Sequence, residues 1–162
     1  MSIKKTGLAV IVLPLVIVFS LMSGSGVSLS ADQDAHLSAT EVYYLEFMRE
    51  EEKLARDVYI EMYELWGLPV FSYISESEQR HMDAVKRMLD AYGLVDPVED
   101  ENAVGVFQSS ELAALYSVLI DEGELSLMSA LRVGALIEEV DIEDIQHAID
   151  ATDPEDIRSV YE

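Results

Sequence analysis

The residues of this chain best suited to chemistry are carboxylates and imidazoles set into rows that are otherwise apolar. Glu78 and His81 stand three apart in FSYISESEQRHMDAVKRMLDAY, residues 71–92. Read in heptads, Phe71, Glu78, Val85 and Tyr92 share one register, and Ile74, His81 and Met88 share the other. Both polar residues therefore fall on the stripe that a helix turns toward its neighbours. Three residues is about one helical turn, so the carboxylate and the imidazole come together. This is the Glu-x-x-His unit from which carboxylate-bridged metal sites are built inside helical bundles. The pattern alone arises often by chance; its place in the seam gives it weight.

Two further rows carry the same interruption. Residues 45–66 place Leu45, Met48, Glu52, Ala55, Tyr59, Met62 and Trp66 on one helical face, with Glu52 as its acid. A lone glutamate on such a face is costly unless it is paired or coordinated. Arg56 is the pairing alternative. Glu50 and Glu51 fall outside the row and are expected in solvent. Later in the chain, Leu127, Leu131, Gly134, Glu138, Asp141, Ile145 and Ala148 form a weaker row holding two acids. Competing rows run through Met128, Ala135 and Ile142 or through Val133, Ile137 and Val140, and Glu139 can exchange roles with Glu138. Tyr59 reads as core rather than as a redox or donor group. His36 falls in a linker and His147 near a helix end, both as surface residues.

The elements that must position these groups are helices. Ser38 or Thr40 caps the first, with Glu41 in its opening turn, and Gly67-Leu68-Pro69 ends it. The link to the second helix is short enough to make the two antiparallel. The second ends near Gly93. A loop without clear period follows Asp96-Pro97. Ser109 or Ser110 caps a short helix closed by Gly123, read as a crossover between helical pairs. Another helix spans about 126–151. Asp153 as N-cap and Pro154 in the first turn begin a last helix that meets the chain end at Glu162.

Composition narrows the function classes. The chain has 162 residues, 32 acidic against 10 basic, and a formal net charge of -22. That field disfavours nucleic acid and other phosphate-rich partners. There is no cysteine, which excludes disulfides, thiolate metal sites and a cysteine nucleophile. No glycine-rich phosphate loop, GxSxG elbow or HExxH motif occurs. The acidity also fits a solvated surface in a salty environment.

The first 30 residues read as a leader: MSIKK, then GLAVIVLPLVIVFSLM, then the small residues SGSGVSLSA. The expectation is export, with cleavage after Ser30 preferred to retention as an N-terminal membrane anchor. Residues 31–37 read as a linker and 38–162 as the folded domain.

The stretches EKLARDVY around Glu52 and SEQRH around His81 resemble the first- and second-helix motifs of rubrerythrins, in the ferritin-like superfamily. More closely, FMREEEKLARDVY, SESEQRHMDAV, YGLVDP, ALRVGALIEEVDIEDI and DPEDIRSVYE resemble, in this order, the ferritin-like domain of unknown function 2202. That resemblance implies an all-α fold, a ferritin-like antiparallel four-helix bundle with a short crossover helix. It implies iron or manganese, held by Glu52, Glu78, His81 and Glu138, with Asp141 where rubrerythrins have a second acid. It also implies a further helical stretch bearing a histidine beyond Glu162, so the last helix reads as truncated and the two-metal centre as incomplete. The metal could then be single, completed by a second subunit in a homodimer, or absent.

Mixed carboxylate and imidazole ligands suit iron and manganese, and ferroxidase or peroxidase chemistry is the sharper functional expectation. The rival is a non-catalytic acidic module whose inward acids pair with Arg56, Arg80 or Arg132.

Overall fold

A computed structural model describes residues 36–162, and the leader and most of the linker lie outside the described residues. Helix α1, Ala39–Trp66, carries the rest of the molecule. Its start is a reciprocal capping box. The Ser38 hydroxyl accepts from the Glu41 amide, and the Glu41 carboxylate accepts from the Ser38 amide. Its end is Gly67 at φ 64, a left-handed conformation that costs an ordinary side chain steric energy. Pro69 then begins α2, Pro69–Ala91, which packs along α1. The other helices are α3, Ser110–Gly123, α4, Leu127–Asp150, and α5, Glu155–Tyr161. The described residues are all-helical, and none of these helices is long and apolar enough to cross a membrane.

Helices α2, α3 and α4 all pack on α1, α3 and α4 pack on each other, and α5 touches α2 and α4. Among the described residues α2 and α4 do not pack on each other. Each lies on α1 with a gap between them that α5 spans. Two apolar clusters run along α1. One joins Leu54, Val58, Tyr59 and Met62 to Phe71, Leu112, Leu119, Ala130, Val133 and Ile137. The other joins Leu45 and Met48 to Val85, Leu89, Ala148, Ile157 and Tyr161. Between the clusters, at the level of Glu52, Glu78 and Asp141, the interior is polar.

Several expectations need correction. Glu50 and Glu51 are not in solvent; every residue from Met48 to Tyr59 is buried. The covering that a single-face reading misses is the α2–α3 connection together with α3 and α4. In α4 the buried residues are Ser129, Ala130, Val133, Gly134, Ile137 and Ala148, so Gly134 and Ala148 of the expected row are inside while Leu127 and Leu131 are exposed. In α2, Met82 and Leu89 are buried, one step from the expected His81 and Met88 row. Helix α5 is preceded by Pro154, and Asp153 does not cap it; the Asp153 amide donates to Glu41.

Seven charged side chains lie within the buried stretch of α1, and most are matched by the connection at residues 92–109. Arg49 pairs with Asp96 and Glu101. Lys53 donates to Asp57 and to the Ala103 carbonyl, with its ammonium 4.8 Å from the centre of the Phe107 ring. Arg56 donates to Asp57, Gln79 and the Glu101 carbonyl. Asp57 accepts from the Gly105 amide, and Glu50 accepts from the amides of Gln108 and Ser109. Asp57 is fully buried and serves Lys53, Arg56 and Gly105 at once. Asp57→Ala strands two buried cations and is expected to cost about 3–5 kcal/mol. Lys53→Met leaves Asp57 its other donors and is expected to cost less. Urea denaturation of the two variants beside the parent checks the order.

Candidate metal centre

The polar level between the two clusters brings Glu52, Glu78 and His81 together. Each offers a ligand atom, and these atoms all lie within 4.8 Å of one another. Helix α1 presents Glu52 because the turn before it is anchored by Leu45 and Met48 and the turn after by Ala55 and Tyr59. Helix α2 presents Glu78 between buried Phe71 and Val85 on the same row. Glu52 and Glu78 are buried, whereas the His81 side chain is 49% exposed, so the group is closed behind and open at the imidazole.

His81 Nδ1 lies 2.9 Å from Glu78 Oε2 and 3.3 Å from Glu52 Oε2. The contact with Glu52 is out of line for a hydrogen bond, and that oxygen is sealed from solvent without a partner. A buried carboxylate oxygen without a donor is costly, and a bound cation is one way to satisfy it. The electrostatics report the same crowding. Burial, opposed by the neighbouring His81 imidazole, pushes the Glu52 carboxyl up to about 8. The Glu52 and Glu78 carboxylates hold a proton on His81 and push it up to about 10. Burial and the charges of Glu78 and Glu138 push Asp141 up to about 6.

Among the described residues no arginine or lysine pairs with Glu52 or Glu78; His81 is their only cationic neighbour. Arg56 is instead committed to Asp57, Gln79 and the loop backbone. The other two expected site residues stand at the edge of this group. Asp141 is half-buried on α4, within range of the charges on Glu52, Glu78 and His81. Glu138 is exposed, and its Oε1 accepts from the Tyr59 hydroxyl at 2.6 Å. The same hydroxyl lies 3.1 Å from the Gly134 carbonyl, where glycine admits the ring: a Cβ there would stand 3.1 Å from Tyr59 Cε1. Tyr59 is thus both core and donor. His36 is exposed, and His147, also exposed, has its Nδ1 3.7 Å from Asp144 Oδ1.

Sequence reasoning missed the polar roles of Glu51 and Asp144. Glu51 is buried beside Asp144 on α4, and its Oε2 has no partner. The three consecutive glutamates inside an otherwise core-forming helix were the available signal.

The chain is similar to an archaeal protein in both sequence and structure. It is 51% identical over 115 residues to uncharacterized protein MJ0754 of Methanocaldococcus jannaschii, covering 71% of this chain. The matched stretch spans 62% of that relative's length. The crystal structure of hypothetical protein MJ0754 from Methanococcus jannaschii DSM 2661 superposes with a TM-score of 0.77 at 47% identity, covering 82% of this chain and 75% of that one. The family described as uncharacterized protein domain (DUF2202) matches residues 41–162, from the first turn of α1 to the last residue, and the chain belongs to that family.

Proposed function

We propose that this chain is an exported metal-binding protein of ferritin-like build, with iron or manganese held by Glu52, Glu78 and His81 and with Glu138 and Asp141 at the rim. The observation that carries the reading is the buried, donor-less Glu52 Oε2 facing a second buried carboxylate and an imidazole. The packing order supports the ferritin-like part: α2 and α4 flank α1 without meeting, and α5 touches both, as members of a bundle would with α3 as the crossover. A metal bound there would supply oxidase- or peroxidase-type chemistry toward oxygen or peroxide. The chain's own residues would hold it, with two carboxylates on the dry side and His81 on the open side where a small oxidant enters. Tyr59 would hold Glu138 in place as a carboxylate that can swing toward the centre. The rival reading, a non-catalytic module whose acids pair with arginines, is disfavoured because Arg56 is spent elsewhere and no arginine among the described residues pairs with Glu52 or Glu78.

Metal analysis of the full chain tests this first. After loading with iron or manganese, the parent is expected to retain metal at about one ion per site, and Glu78→Ala/His81→Ala to lose that ion while keeping its helical content. A folded parent that retains no metal would overturn the proposal.

The pH dependence of the metal-free chain follows from the shifted groups. Glu52 binds its proton up to about 8, against an ordinary value of 4.5, and His81 up to about 10, against 6.5. For both, the folded state holds more protons than the unfolded one across the interval, so stability falls as pH rises. The His81 contribution is complete below its unfolded value and is lost as pH climbs through its folded one. Urea midpoints in chelator are expected to drop between about pH 6 and pH 9, above the range of ordinary carboxylates, with the raised Glu51 and Asp141 adding to the drop in the same direction. Glu52→Gln is expected to flatten the drop, and added metal, which displaces the same protons, to flatten it further. A midpoint that rises over this range would contradict the assignment.

A further inference from the structure

A second carboxylate pair lies beside the first group, where α1 faces α4. Glu51 is 8% exposed, and its Oε2 is sealed from solvent with no hydrogen-bond partner. The group beside it on α4 is another acid, Asp144, whose charge with those of Asp141 and Glu52 adds to burial in raising the Glu51 carboxyl. No lysine or arginine among the described residues pairs with either Glu51 or Asp144. The neighbouring imidazole is His147, one turn along α4, with Nδ1 3.7 Å from Asp144 Oδ1 and its side chain 56% exposed. Asp144-x-x-His147 on α4 therefore repeats the acid-x-x-His spacing of Glu78-x-x-His81 on α2. Adjacent residues of α1 each contribute one donor-less buried oxygen, Glu52 toward α2 and Glu51 toward α4.

Two facing carboxylates with a sealed oxygen must share a proton or a cation. We propose that Glu51 and Asp144 form a second cation site, separate from the Glu52–Glu78–His81 group, which takes a hydrated divalent ion of the magnesium or manganese class. Such ions keep several waters and are held by one or two carboxylates, and the half-buried Asp144 leaves a wet side for those waters. His147 acts behind Asp144 as a positioning residue, orienting its carboxylate.

Counting manganese ions on the full chain tests this independently of the first site. Manganese is titrated into Glu78→Ala/His81→Ala, and free ion is followed by its paramagnetic resonance. That variant is expected to retain about one ion, and addition of Glu51→Gln/Asp144→Asn to remove it. His147→Ala, a surface change that leaves the fold intact, is expected to weaken the remaining ion about tenfold. If the folded Glu78→Ala/His81→Ala chain binds no manganese, or if His147→Ala leaves its affinity unchanged, the proposal is overturned. Binding in the parent abolished by Glu78→Ala/His81→Ala alone would leave the first site standing and mean that Glu51 and Asp144 share a proton.

Discussion

The constraint on which this molecule depends is that α1 is buried on every side over the stretch that carries most of its charge. A helix in that position is normally apolar all round. This one is not, so each charged group needs a partner supplied by whatever covers it. The cover is correspondingly polar. The α2–α3 connection brings Asp96, Glu101 and several backbone groups onto Arg49, Lys53, Arg56 and Asp57. A loop that would otherwise be a loosely held surface segment is fastened by desolvated, charge-assisted bonds. Its shape is set by α1 as much as by its own turns.

The same constraint explains why the polar level lies where it does. Two apolar clusters close the molecule at either end of α1 and supply the burial that drives folding. They leave a belt at mid-length where Glu52, Glu78, Asp141 and Glu51 are held away from water. Carboxylates concentrated at one level repel one another, and the raised pKa values of Glu52, Glu51 and Asp141 record that strain together with burial. The belt is stable in two ways: with protons, or with cations in their place. The chain's net charge of -22 favours cations near its surface, though salt screens that long-range pull.

Much of this was legible in the sequence, and the remainder failed for a physical reason. Helix ends were readable because Ser38, Gly67, Pro69 and Ser109 act locally, within one turn. Glu52, Glu78 and His81 were readable because each interrupts an apolar row, and the structure brings these three together. The covering of α1 was not readable, since it depends on a loop whose residues meet α1 across about fifty positions of sequence. The heptad frame also assumes one buried face. In helix α4 Gly134 and Ala148 of the expected row are buried beside Val133 and Ile137 of a competing row, while Leu127 and Leu131 are exposed, and Gly134 is where Tyr59 approaches the helix. The leader and its cleavage lie outside what geometry addresses.

Glu50, Glu51 and Glu52 show how far identity falls short of role. They are consecutive, chemically identical and all buried. The helix separates their directions by about 100° per residue. Glu50 meets the free amides of Gln108 and Ser109 at the start of α3, which satisfy it as an ordinary structural acceptor. Glu51 meets Asp144, an acid, and is left with a sealed oxygen. Glu52 meets an imidazole and a second carboxylate, and is also left with one. Burial alone would make all three equally suspect as functional groups. The distinguishing quantity is whether the facing element supplies donors: where it does, the charge is structural, and where it supplies further acceptors, the carboxyl keeps a proton unless a cation replaces it.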